Sequence, residues 1–226
     1  MHFIIGHKDE LSSELLAKLS KYRYEVFIKK LGWQLPTEEN VEQDQFDNDE
    51  TVYVIANDEE NNVIGCARLL PTTSPYLLRD VFPHLLGECE PPSSYDVWEV
   101  SRFSAVDLNP KKMNAKAGIS SECAVQLIQQ SINYVYAQGA KQLITVSPLG
   151  IERLLSRAGF QFHRTGVPIV VDGRPVVSCL ISAIPDVECK LQLASQKTVP
   201  SVRGFLNKSD ATKAQEKLIS VDRVEV

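Results

Sequence analysis

The chain has no run that approaches the roughly 20 consecutive apolar residues of a membrane-spanning helix. The short apolar stretch after Met1 ends at Ile5 and has neither the basic start nor the cleavage site of a signal peptide. Of its 226 residues, 43% are hydrophobic and 23% are charged, which excludes wholesale disorder and a collagen-like chain. We therefore expect a cytoplasmic protein without membrane insertion.

Patterns for metals, disulfides and nucleic acids are missing as well. The five cysteines contain no C-x-x-C pair, the four histidines are scattered, and no His/Cys cluster has the spacing of metal ligands. We expect reduced thiols and no metal. The formal net charge of −5 opposes bulk attraction to nucleic acid, so we expect no nucleic-acid partner.

The order of predicted elements indicates an α/β chain of the α+β sandwich type. The length favours one domain, which we assign to residues 1–185. Residues 186–226 form a C-terminal tail, which is partly ordered, an added helix or a processing remnant. Periodicity and turn residues predict strands at 3–5, 51–56, 63–70, 97–106, 142–146, 169–171 and 176–184, and helices at 9–30, within 76–86, at 121–138 and at 148–158.

Three arginines occur where the pattern predicts burial. Arg23 lies at the edge of the apolar stripe of the first helix, and Arg68 lies in a strand that is apolar on both faces. Arg102 shares a strand with Glu99, and a β-bulge at Ser101 or Arg102 would bring both charges to one face. A snorkelling Arg23, a structural ion pair at Arg68 and an edge strand with one outward charge remain alternatives.

An acidic loop, Glu42-Gln43-Asp44-Gln45-Phe46-Asp47, can supply the counter-charges, although such a loop can also be solvated surface. We expect Arg68 and Arg102 to form one charge network with Asp44, Asp47 and Glu99. The predicted cleft suits a zwitterionic or cationic small ligand, because carboxylates bind an ammonium, arginine binds a carboxylate and aromatic faces attract a cation. It combines Arg23, Asp44, Asp47, Arg68, Glu99 and Arg102 with the aromatic residues Phe27, Trp33 and Phe103.

The same residues resemble the signature of the LuxI-type acyl-homoserine-lactone synthases, which make the autoinducers of bacterial quorum sensing. The resemblance spans about residues 1–184, and the ordered set is highly specific. It rests on Arg23-x3-Phe27-x5-Trp33, on Asp44-Gln45-Phe46-Asp47, on the run from Gly65 to Thr73 (GCARLLPTT), and on Trp98-Glu99-x-Ser101-Arg102-Phe103.

The resemblance implies a fold like that of the GCN5-related N-acetyltransferases (GNAT), a mixed, splayed sheet with helices on both faces. It also implies two substrates, S-adenosylmethionine (SAM) and an acyl group on acyl carrier protein, and no cofactor. The SAM amine attacks the acyl thioester. The SAM carboxylate then displaces the sulfonium, which closes the lactone and releases 5′-methylthioadenosine.

Site roles follow as expectations. We predict Glu99 as the base for the amine, with Asp44 as second candidate, and the backbone of Arg102 or Phe103 near the thioester oxygen, so the catalytic set is Glu99, Arg102 and Asp44. The predicted SAM-binding residues are Arg23, Phe27, Trp33, Asp44, Asp47, Arg68 and Phe103. The predicted walls of the acyl-chain pocket are Val100, Phe103, Leu143, Thr145, Val146 and Ser147.

Two of these roles have competing interpretations. The hydroxyls of Thr145 and Ser147 would meet a 3-oxo or 3-hydroxy group, but Ser147 could instead be the N-cap of the helix at 148–158. Arg153 and Arg157 lie one turn apart on that helix and are predicted to dock the acidic carrier protein, although they could form an ordinary solvated face.

Two other functions stay open. An ordinary acetyl-CoA N-acetyltransferase would carry an R/Q-x-x-G-x-G/A loop before the helix at 121–138, whereas residues 111–118 read KKMNAKAG and lack that spacing. A catalytically inactive sensor of SAM or of an acyl lactone would have lost Glu99 or the acidic loop, and both are present.

Overall fold

In the part of the chain that the structure describes, eight strands form one mixed sheet in the order β1-β2-β3-β4-β5-β8-β6, with β7 paired to β8. A computed structural model describes residues 1–109 and 121–184; the predicted tail and the loop at 111–118 lie outside the described residues. All neighbouring strands are antiparallel except β4 and β5. The strands are β1 (His2–His7), β2 (Val52–Asn57), β3 (Val63–Pro71), β4 (Val97–Ser104), β5 (Gln142–Pro148), β6 (Phe162–Arg164), β7 (Ile169–Val171) and β8 (Arg174–Ser182).

The described residues contain four α-helices: α1 (Ser13–Arg23), α2 (Leu77–Asp80), α3 (Ser121–Ala137) and α4 (Gly150–Ala158). The side chain of Ser12 accepts the Leu15 N–H and so caps the start of α1. A π-helical stretch, Tyr24–Lys30, continues α1 to the end predicted from the sequence. No helix in the described part of the chain is long and apolar enough to cross a membrane.

The two faces of the sheet are covered differently. Because successive strand residues point to opposite faces, Leu69 and Val100 belong to the apolar core beneath α3, which we call the α3 face. Tyr53 and Arg68, which are paired across β2 and β3, lie on the opposite face beneath α1, the α1 face. Helices on both faces of a mixed sheet agree with the predicted α+β sandwich.

Strand β4 contains the predicted bulge. Arg68 pairs with Ser101 and Cys66 pairs with Ser104, so β4 has one more residue than β3 in this interval. Arg102 takes up the difference with a left-handed backbone, φ +49°. The bulge turns the Arg102 side chain to the α1 face, where Ser101 and Glu99 also point, as the sequence predicted.

The start of α4 differs from the prediction. Ser147 and Pro148 belong to β5, where they pair with Val177 and Val176 of β8. The N-cap of α4 is Leu149, which makes no side-chain capping bond. The interpretation of Ser147 as the N-cap is therefore wrong. Its side chain lines the cavity on the sheet that is described below. Strand β6, which has only three residues, was not predicted.

Candidate active site

Six buried side chains on the α1 face form a closed ring in which positive and negative charges alternate. Three arginines come from α1, β3 and β4, and three carboxylates come from the acidic loop. None of the six side chains is more than 6% exposed. Going round the ring, the members are Arg23, Asp47, Arg68, Asp44, Arg102 and Glu42, which closes on Arg23.

Arg23 and Arg68 use all their guanidinium nitrogens within this structure. Arg23 donates through Nη1 and Nη2 to the two oxygens of Asp47, at 2.7 and 2.9 Å, and through Nε to Glu42. Arg68 donates through Nη1 and Nη2 to Asp44, and its Nε donates to Ser101 Oγ at 3.1 Å. The sequence-based alternative of a snorkelling Arg23 is wrong, because its side chain is 2% exposed.

Arg102 is held less completely. Its Nε donates to Glu42 Oε1 at 2.9 Å, and its Nη2 donates to Asp44. The guanidinium carbon lies 5.2 Å from the centre of the Trp33 ring and 5.8 Å from that of Phe27, and these two rings stack at 4.7 Å. This geometry is that of a cation–π contact, so the aromatic pair is part of the same site.

Glu42 is a site residue that the sequence interpretation missed. It is fully buried and joins Arg23 to Arg102, which lies 60 positions away in the chain. The loop has no regular period that would show which carboxylates point inward. A count of charges gave no signal for it either, because Asp44, Asp47 and Glu99 already supplied three carboxylates for the three arginines.

The charges of the ring hold the carboxylates of Asp44 and Asp47 ionised. Burial by itself would raise the pKa of Asp47, but the charges of Arg68 and Arg23 lower that pKa well below its usual range. Burial acts on Asp44 in the same way, and the charges of Arg102 and Arg68 outweigh it, so the pKa of Asp44 is lowered too. A carboxylate with a low pKa is a poor proton acceptor, which argues against Asp44 as the base.

Glu99 lies on the same face but outside the ring. It is fully buried, and its carboxylate oxygens accept the backbone N–H groups of Leu77, at 3.1 Å, and Leu78, at 2.7 Å, at the start of α2. In the described residues Glu99 forms no ion pair, so the ion pairs of the expected charge network join Arg68 and Arg102 to Asp44 and Asp47 but not to Glu99. Burial raises the pKa of Glu99 to about 7, despite those hydrogen bonds and the nearby Arg68 charge.

An apolar cavity lies on the α3 face of the same strands. Five side chains predicted for the acyl pocket line it: Val100, Phe103, Leu143, Thr145 and Ser147, together with Ile128, Ser131, Ile151 and Ile181. Pairing between β4 and β5 runs from Val97–Gln142 to Val100–Thr145, so the cavity lies where the paired stretch ends.

Two predicted positions need correction. Val146 is next to Thr145 on β5 and therefore points to the other face, where it packs against the cluster containing Phe46 and Ile144 rather than into the cavity. Phe103, predicted for both the SAM site and the acyl pocket, belongs to the α3-face core and the cavity wall. The bulge at Arg102 separates it from the charged ring.

The cavity wall carries three hydroxyls. Thr145 Oγ1 and Ser147 Oγ are 2.9 Å apart and share one hydrogen bond, while Ser131 Oγ donates to the Leu127 carbonyl at 2.8 Å. Two hydroxyls that share one bond contain a second hydrogen, which can still be donated. The Thr145–Ser147 pair can therefore bind an acceptor oxygen inside an otherwise apolar cavity.

Helix α4 exposes Arg153 and Arg157 to solvent. The neighbouring basic residues are already paired: Arg164 binds Glu152, and Lys141 Nζ lies 3.0 Å from Asp96.

Across residues 1–109 and 121–184, no group of three or more His, Cys, Asp or Glu side chains is placed to hold a metal ion.

Comparison with known proteins connects this geometry to one family. A family model described as autoinducer synthase matches residues 7–186. A protein of Acinetobacter nosocomialis called acyl-homoserine-lactone synthase is 50% identical over 181 residues, which cover 80% of this chain and 99% of that protein. The crystal structure of TofI in a ternary complex with an inhibitor and MTA is 42% identical, with a TM-score of 0.71 over 81% of this chain and 92% of that one.

More distant structures share the fold alone. BjaI, a CoA-dependent acyl-homoserine lactone synthase crystallised with SAM and isopentyl-CoA, is 22% identical with a TM-score of 0.69, and the match covers 96% of this chain and 88% of that one. A proposed N-acetyltransferase from Lactobacillus plantarum is 16% identical with a TM-score of 0.53, over 81% and 98% of the two chains. The predicted GNAT-like fold is confirmed.

Proposed function

The chain belongs to the autoinducer synthase family of acyltransferases, and from that premise we propose that it makes an acyl-homoserine lactone from SAM and an acyl group on acyl carrier protein. The observation that carries the proposal is that the two faces of β4 differ in chemical character. Charged and ionisable groups lie on its α1 face, and an apolar cavity lies on its α3 face. A polar, zwitterionic substrate and an apolar acyl chain can thus meet at one strand.

N-acylation is the first chemical step. The neutral SAM amine attacks the thioester carbonyl carbon, a C–N bond forms, the C–S bond to the carrier breaks, and a proton leaves the nitrogen. An unperturbed α-amino group has a pKa of about 7.7–8.0, so a base with a pKa close to 7 suits this transfer. Glu99 is the better candidate than Asp44, because its pKa is raised while that of Asp44 is lowered.

The acyl chain occupies the cavity in this proposal, with its thioester near the bulge. Backbone N–H groups at Arg102 or Phe103 would stabilise the developing oxyanion. The spare hydrogen of the Thr145–Ser147 pair would bind an oxygen on carbon 3 of the chain. A 3-oxo or 3-hydroxy acyl group therefore fits the cavity better than a plain chain does.

Lactonisation follows within the acylated SAM. A carboxylate oxygen attacks the carbon next to sulfur, a C–O bond forms, and the C–S bond breaks with its electron pair on sulfur. The products are the neutral lactone and 5′-methylthioadenosine. The negative carboxylate and the positive sulfonium neutralise each other in this step, so no external base is needed and the chemistry needs no cofactor.

Docking of the carrier uses Arg153 and Arg157 in our proposal. Acyl carrier proteins are acidic and this chain has a net charge of −5, so association needs a local basic patch. Both arginines are exposed on α4, whose Ile151 also lines the cavity. The carrier would therefore bind beside the acyl pocket.

The test is an assay of the purified protein with SAM and either acyl carrier protein thioesters or the matching CoA thioesters. Mass spectrometry follows the acylated lactone and 5′-methylthioadenosine. We expect both products in equal amounts, with a higher kcat/KM for the carrier-bound acyl group. Faster turnover with CoA thioesters would overturn the carrier assignment, and release of neither product would overturn the proposed reaction.

A further inference from the structure

We propose that Nη1 of Arg102 binds the carboxylate of SAM, and that Arg23 and Arg68 serve to hold the ring together. The proposal rests on SAM being the substrate, as argued above. The sequence alone does not distinguish the three buried arginines. In this proposal one arginine binds the substrate, and the other two hold that arginine and the ring carboxylates in place.

A count of donors separates the three arginines. Every guanidinium nitrogen of Arg23 and Arg68 donates to a ring carboxylate or to Ser101. Arg102 donates through Nε and Nη2 only, so its Nη1 has no partner among the described residues. Each arginine has five N–H groups, and Arg102 is the ring member in which a whole guanidinium nitrogen remains available for an additional acceptor.

The remaining donor is accessible. Nη1 of Arg102 is not completely sealed from solvent, although the Arg102 side chain as a whole is only 3% exposed. The guanidinium lies against Trp33, which is itself only partly buried. In this proposal a small ligand reaches Nη1 by packing beside the Trp33 ring.

The ring itself selects an anion at this point. All six carboxylate oxygens of Glu42, Asp44 and Asp47 already accept at least one hydrogen bond. Three arginines balance three carboxylates, so the ring as a whole is neutral. Each oxygen of Asp44 and Asp47 accepts two hydrogen bonds, and Glu42, whose oxygens accept one each, is fully buried, so an ammonium finds little acceptor capacity here. The group that the ring can bind is an acceptor, and the acceptor with a charge that SAM offers is its carboxylate.

Binding of the SAM carboxylate through one nitrogen has a consequence for closure of the lactone. A carboxylate held at one oxygen by Nη1 keeps the other oxygen free. That free oxygen can attack the carbon next to sulfur, which forms the C–O bond and breaks the C–S bond as described above. A bidentate grip would instead engage both oxygens and oppose the reaction.

Calorimetry without any acyl donor tests the assignment, by comparing SAM with decarboxylated SAM, which lacks only the carboxylate. We expect the wild-type protein to bind SAM about 10- to 100-fold more tightly, the range for a hydrogen bond to a charged group. Arg102→Lys removes the guanidinium fork, so the ratio of the two affinities should fall towards one. In the control, Arg68→Lys, the melting temperature should drop while the ratio is kept.

The outcomes separate this inference from the proposed function. Equal affinities of the wild-type protein for the two ligands would overturn the role of Arg102 and leave SAM as the substrate; this comparison needs no variant. If the ratio of the affinities for SAM and decarboxylated SAM falls equally in Arg102→Lys and Arg68→Lys, the assignment of different roles to these two arginines is overturned. Binding of neither ligand to the wild-type protein would overturn both proposals.

Discussion

Replacing Glu99 by glutamine should make stability less dependent on pH. Glu99 is fully buried, and its pKa rises from 4.5 to about 7 on folding. Between those values the folded protein keeps a proton that the unfolded chain releases, so rising pH favours unfolding. At about 1.4 kcal/mol per pH unit, this carboxyl alone lowers the free energy of unfolding by about 3 kcal/mol from pH 4.5 to pH 7.

Urea denaturation of the wild-type protein and of Glu99→Gln at pH 5 and pH 8 measures this effect. The variant should gain stability relative to the wild type by about 3 kcal/mol between the two pH values. Glu122→Gln, at an exposed position of α3, is the control and should show no such trend. A constant difference between wild type and Glu99→Gln across the pH range would refute the claim that burial raises this pKa.

Three further predictions concern the ring, the cavity and α4. Arg68→Ala should lower the free energy of unfolding by roughly 3–5 kcal/mol, because it leaves three buried ring carboxylates with only two arginines and so one uncompensated negative charge; an unchanged melting temperature would contradict this. Thr145→Val and Ser147→Ala should each reduce the kcat/KM preference for 3-oxo or 3-hydroxy over plain acyl carriers, and an unchanged preference in both would exclude the hydroxyl role. Arg153→Glu with Arg157→Glu should raise the KM for acyl carrier protein, more steeply with added salt, and leave the KM for SAM unchanged; equal changes in both KM values would exclude these arginines as the docking surface.

The sequence predicted the elements better than the directions of individual side chains. Strand alternation and the misplaced charges were enough to predict the bulge at Arg102, because two opposite charges in one strand needed a common face. The same alternation places Val146 and Thr145 on opposite faces, so the two cannot both line one pocket; a one-residue shift of the strand would exchange their faces.

The remaining errors come from irregular segments. Glu42 lies in a loop without periodicity, so nothing local shows that it is buried between Arg23 and Arg102. The partners of Glu99 are backbone N–H groups of α2, and a short helix after a proline-rich segment gives no sequence signal for such a contact. Side chains that bind the backbone of distant segments become visible only when the segments are assembled.

The ring also sets an order for folding. In chain order its members are Arg23, Glu42, Asp44 and Asp47, followed much later by Arg68 and Arg102. Until the last two arrive, the first 47 residues contain three ring carboxylates and one ring arginine, so they cannot bury this cluster without unpaired charge. We expect the N-terminal segment to stay undocked until β3 and β4 have paired, and its attachment to complete the native state.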